Sequence, residues 1–106
     1  MTPQGALLQG TPDYMAPEQV VSPHEVDIRA DIYGLGCTTY HMLAGQPPFP
    51  GGELIDKLNR HRAQEPTALE ELRPEVPPAL AGVVRKMMAK RPEARYQSPA
   101  EVAEVL

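Results

Sequence analysis

The feature that most constrains this chain is its prolines, thirteen among 106 residues. Proline fixes its own φ, lacks an amide donor and interrupts a helix anywhere beyond the first turn. No helix or central strand can therefore run through Pro47-Pro48-Phe49-Pro50, or through the stretch holding Pro74, Pro77 and Pro78. Pro12 and Pro17 bracket an opening run, the first cluster follows a helical stretch and the second precedes another. The pattern reads as helices separated by ordered loops.

The longest helix expected runs from about Ile28 to Ala44, with Asp27 as its cap and Gly45 as the residue that ends it. Its apolar residues, Ile28, Ile32, Tyr33, Leu35, Cys37, Tyr40, Met42 and Leu43, pass most of the way round a 3.6-residue period, as in a helix buried on several sides. Gly34 and Gly36 each cost roughly 1 kcal/mol against alanine inside a helix, which points to a close approach of another backbone or helix. A second helix is marked by Leu80, Val83, Val84, Met87 and Met88, a single stripe opened by Pro78, with Arg85, Lys86, Lys90 and Arg91 toward its C-terminus. A third begins at Ser98-Pro99-Ala100-Glu101, a capping box, with Val102, Val105 and Leu106 as its apolar face. A weaker one, about Glu53 to Arg62, carries Leu54, Ile55 and Leu58. No segment alternates as a strand does, so the chain is expected to be all-α.

Ten basic against fourteen acidic residues leave a net charge of −4, which argues against nucleic-acid and anionic-membrane partners. The N-terminus lacks a signal-peptide pattern, no run of 18 apolar residues occurs, and a single Cys37 cannot close an internal disulfide. A cytoplasmic location is the expectation. Cys37 falls within the buried helix pattern and should behave as a small hydrophobe. His24, His41 and His61 have no spacing that gathers them at a metal, so no metal site is expected.

Three runs in order, GTPDYMAPEQ (10–19), DIRADIYGLGCTTYHMLAGQPPFPGG (27–52) and VVRKMMAKRPEARYQSPAEV (83–102), resemble the lower part of the C-lobe of a bacterial Ser/Thr protein kinase. The resemblance implies a partial, helical kinase C-lobe without an N-lobe: residues 1–20 as the end of an activation segment with its Ala-Pro-Glu motif, residues 21–106 as the helical portion. It pairs Glu18 with Arg95 as a structural contact. It makes Asp31 the anchor of the catalytic loop, and Gly10, Thr11 and Pro12 the start of the substrate-docking pocket. Thr2 falls where phosphorylated residues of the activation segment cluster. His61-Arg62 looks like the opening of the His-Arg-Asp motif, but Ala63 stands in place of the aspartate and the motif belongs upstream; it is expected to lie on a surface helix. Phe49 is expected to pack onto the lobe.

ATP and Mg²⁺ serve the full-length family, yet the glycine-rich loop, the strand lysine, the catalytic-loop Asp and Asn and the Asp-Phe-Gly motif do not occur here, so no cofactor is expected in this chain. Two functional readings stand side by side. In one the chain scaffolds the catalytic loop and docks protein substrate within a longer Ser/Thr kinase, its partner being the remainder of the kinase domain. In the other it is an autonomous, non-catalytic binding module derived from a kinase. A helical bundle unrelated to kinases would require the motif order to be coincidence. On either kinase reading the core helix, lacking the catalytic loop that would cover it, is expected to expose apolar surface and to favour self-association.

Overall fold

The computed structural model describes residues 12–106. Among them are six α-helices and no strand: α1 (Pro17–Val21), α2 (Ile28–Ala44), α3 (Leu54–Ala63), α4 (Leu69–Leu72), α5 (Pro78–Met87) and α6 (Pro99–Val105). Short 3-10 turns occur at Pro12–Tyr14, Pro23–Glu25 and Pro92–Ala94. The all-α expectation holds.

Helix α2 begins and ends where its caps place it. The Asp27 carboxylate accepts from the Arg29 amide at 2.9 Å. At the other end Gly45, at φ 82°, donates its amide to the His41 carbonyl. Around this helix the core is built: Ala30, Tyr33, Cys37, Tyr40 and Ala44 pack with Leu69, Val76, Ala81, Val84 and Met88, while Ile32 joins Met87, Tyr96 and Val102. The stripe on α5 faces α2 as expected, with Val84, Met87 and Met88 buried.

The close approach inferred from the glycines is present. A Cβ on Gly36 would lie 2.8 Å from Met87 Cβ and 2.9 Å from Met88 Cγ, so only glycine lets α5 seat this deeply on α2. A Cβ on Gly34 would lie 3.3 Å from the Tyr14 carbonyl oxygen.

One side of α2 stays open. Ile28, Leu35 and Met42, seven residues apart, are exposed, Leu35 by 50% and Met42 by 79%. Beside the first two lies a shallow apolar groove of about 290 Å³ between α2 and α6, lined also by Ile32, Val102 and Leu106.

Three details differ from the sequence reading. On α3, Leu54 and Ile55 point to solvent while His61 is fully buried, so His61-Arg62 does not lie wholly on the surface; only Arg62 is exposed. The imidazole packs in edge-type contacts with Phe49 at 5.0 Å and with Tyr33 at 5.6 Å between centroids, which an exposed position could not supply. On α6 only Val102 is buried; Val105 and Leu106 are exposed. The α6 cap is also shared differently. Ser98 Oγ accepts from the Glu101 amide at 3.2 Å, but the Glu101 carboxylate reaches back to the amide of Gln97 instead of Ser98.

Candidate functional site

Arg95 follows the last 3-10 turn and points inward, its side chain wholly buried. A guanidinium carries five N–H donors, and all five have acceptors here. Nη1 donates to Glu18 Oε2 at 2.6 Å and to the Arg29 carbonyl at 2.9 Å. Nη2 donates to Glu18 Oε1 at 2.8 Å and to the Lys90 carbonyl at 3.2 Å, and Nε to the Ala89 carbonyl at 2.7 Å. The plane also lies 4.9 Å from the Tyr33 ring centre. One side chain thus ties α1, the first turn of α2 and the segment after α5 together. Glu18 and Arg95 meet as a two-point pair 77 residues apart in sequence.

Glu18 is delivered by α1, a single turn opened by Pro17, in which the Gln19 side chain accepts from the Ala16 amide at 2.7 Å. Upstream, the Pro12–Tyr14 turn is held from two helices. The Tyr14 hydroxyl is 2.8 Å from His41 Nδ1 on α2. Asp13 Oδ1 accepts from Lys57 Nζ of α3 at 2.5 Å, and the same ammonium donates to the Phe49 carbonyl at 3.2 Å.

Beneath this turn His61 Nδ1 is 2.6 Å from the Tyr33 hydroxyl. Its Nε2 is buried and has no hydrogen-bond partner among the described residues. Burial and the nearby Lys90 ammonium push this imidazole down to about 4, against a smaller opposing pull from the backbone of Pro12 and Asp13. Burial likewise pushes the Cys37 thiol up to about 12 and raises the Tyr33 phenol. Lys90 is lowered by burial; it sits 5.0 Å from the Phe49 ring centre.

Pro12 therefore opens a turn clamped onto α2 and α3, while Gly10, Thr11 and Thr2 lie outside the described residues. Asp31 is exposed on α2, borders the apolar groove, and makes no hydrogen bond or ion pair among the described residues. It is not brought near Glu18 and Arg95 by any contact. Among the described residues no cluster of three or more His, Cys, Asp or Glu could hold a metal ion. No helix among them is long and apolar enough to cross a membrane. Phe49 is buried, as expected.

Sequence reasoning missed Lys57, His41 and His61. For His61 a signal existed: it follows Lys57 by four residues and Leu58 by three, and these three share one face of α3. A search for aliphatic residues alone chooses the wrong side of that helix.

Comparison with known proteins agrees with the motifs. The protein kinase domain family matches residues 4–105. Over 99 residues, 93% of this chain, it is 39% identical to serine/threonine-protein kinase PknB of Mycolicibacterium smegmatis and 38% identical to PknB of Mycobacterium tuberculosis. It is 41% identical over 92 residues, 87% of this chain, to serine/threonine-protein kinase Pkn1 of Myxococcus xanthus. The chain spans only 16% of the length of each PknB and 13% of Pkn1.

Proposed function

The chain belongs to the protein kinase domain family, and from that premise we propose that it is the C-terminal, helical part of a Ser/Thr kinase catalytic domain. In this reading ATP-dependent phosphoryl transfer to Ser or Thr is performed by a longer cytoplasmic polypeptide. Residues 1–20 form the end of its activation segment, with Thr2 as a phosphorylation site. Residues 21–106 scaffold the catalytic loop through Asp31, and Gly10, Thr11 and Pro12 receive the protein substrate. ATP and Mg²⁺ are held elsewhere in the longer protein, since the motifs that cradle phosphates are not in this stretch.

The observation that carries the reading is the Glu18–Arg95 pair. It fastens Ala16-Pro17-Glu18 to the far end of the chain with every guanidinium donor used, which gives the preceding turn a fixed platform. The uncovered stripe of Ile28, Leu35 and Met42, with Asp31 on the same side, suits a surface completed by the remainder of a kinase domain.

The test is phosphate transfer from labelled ATP to Ser- and Thr-containing peptides, run on the full-length protein and on residues 1–106 alone. Transfer by the first and none by the second is expected. An inactive full-length protein, or transfer by residues 1–106 alone, would overturn the reading.

A further inference from the structure

A half-enclosed cavity of about 180 Å³ lies between α2, the segment leading into α4, and α5. It is separate from the Arg95 hub and from the open stripe of α2. Its walls are core residues: Tyr40, Leu69, Ala81, Val84 and Met88 line it, and none is more than 5% exposed. Packed interiors seldom leave a void larger than a water molecule, and atoms that face one lose dispersion contacts. The polar groups around this space are already engaged with each other. The Tyr40 hydroxyl donates to the Thr67 carbonyl at 2.5 Å. At the rim the exposed Arg85 donates from Nη2 to both Glu70 carboxylate oxygens, at 2.9 and 2.8 Å.

We propose that this cavity is a binding site for a small, neutral aromatic molecule, a single ring with a short alkyl group, seated between α2 and α5. Size sets the upper limit. An apolar cavity of about 150 Å³ takes up one benzene, so 180 Å³ admits a ring with a short substituent and not a long acyl chain. Lining chemistry sets the rest. A buried water needs about three polar partners, and these walls are nearly all apolar with the phenol engaged, so water competes poorly for the space. Tyr40 presents a ring and Met88 a thioether, both of which make favourable contacts with an aromatic guest. An anion gains little, because Arg85 is held by Glu70 and the exposed Glu65 carboxylate stands at the same rim. Every lining residue falls between positions 40 and 88, so the site is independent of the kinase reading.

The experiment titrates the 106-residue chain, carrying carbon-13 in its methionine methyls, with ethylbenzene and follows those methyls by NMR. The Met88 methyl should shift saturably, while that of Met42, exposed on α2, should not. 3-Phenylpropionate, a similar ring bearing a carboxylate, should bind about tenfold more weakly or worse. Ala81→Leu fills the cavity from its α5 wall and should weaken ethylbenzene by about tenfold or more. If circular dichroism shows that variant unfolded, Ala68→Leu, at a half-buried lining position, takes its place. The absence of a saturable Met88 shift in the native chain would overturn the proposal without recourse to any variant. Equal shifts at Met42 and Met88 would do the same, since they mean adsorption to the exposed stripe. So would undiminished binding by a folded, filled variant, or binding of 3-phenylpropionate as tight as that of ethylbenzene.

Discussion

Replacing Arg95 by alanine removes the five-donor hub while leaving its acceptors in place. The Glu18 carboxylate, at 15% side-chain exposure, then has no cation, and the carbonyls of Ala89, Arg29 and Lys90 lose a charged donor. Breaking one side of a buried pair costs about 3 to 5 kcal/mol, and the stranded carbonyls put this case toward the upper end. A small domain has only about 5 to 15 kcal/mol in total. The expected fall in melting temperature is thus about 15 to 40 °C, at about 4 to 8 °C per kcal/mol for a chain of this size. Arg95→Lys keeps the charge but has three donors and no planar fork, so it should recover roughly half of the loss. Urea unfolding of dilute protein, followed by helical circular dichroism, measures both, and a cycle with Glu18→Ala isolates the pair at about 2 kcal/mol or more of coupling. A cost below about 1 kcal/mol for Arg95→Ala, or zero coupling in a folded chain, would refute the reasoning.

Other consequences can be checked on the same protein. Because His61 is neutral in the fold down to about 4, while an unfolded histidine takes a proton near 6.5, the unfolded state binds more protons between those values. Stability should fall as pH drops from 6.5 to 4, by no more than about 3 kcal/mol, and His61→Phe should flatten that slope. Gly36→Ala should destabilise by about 1 to 3 kcal/mol through overlap with Met87 and Met88. Gly82→Ala on α5, which meets nothing within 4 Å, should instead stabilise by about 0.5 to 1 kcal/mol. The buried Cys37 thiol, pushed up to about 12, should react with a disulfide reagent only after denaturant is added. The exposed Leu35 and Met42 are expected to drive self-association of residues 1–106, and Leu35→Lys with Met42→Lys should leave a monomer in sedimentation velocity where the native chain sediments faster.

Elements with local punctuation were legible in the sequence. Asp27 and Gly45 bound α2, Ser98-Pro99 opens α6, and the Val84–Met87–Met88 stripe buries as its spacing implies. Gly34 and Gly36 announced the close approach of neighbours, because a helix interior otherwise disfavours them. Helices α1 and α4, of five and four residues, are too short to show any period, and they owe their conformation to what they pack against. The buried face of α3 was hidden because its central member is a histidine that packs as an aromatic ring. Contacts such as Lys57–Asp13 and Tyr14–His41 join residues 44 and 27 apart, and no rule of local spacing reaches that far. Glu18–Arg95 is farther still; only the resemblance to kinases pointed to it.

The central claim, that this chain is part of a longer Ser/Thr kinase, is tested most directly by the size of the protein that carries it in its source cells. Immunoblotting with an antibody to residues 98–106, followed by mass spectrometry of the captured band, reads it. The account predicts a band of kinase-domain size or larger, with peptides from sequence preceding Met1. A band at the 11.6 kDa of the present chain would contradict it and leave an autonomous binding module.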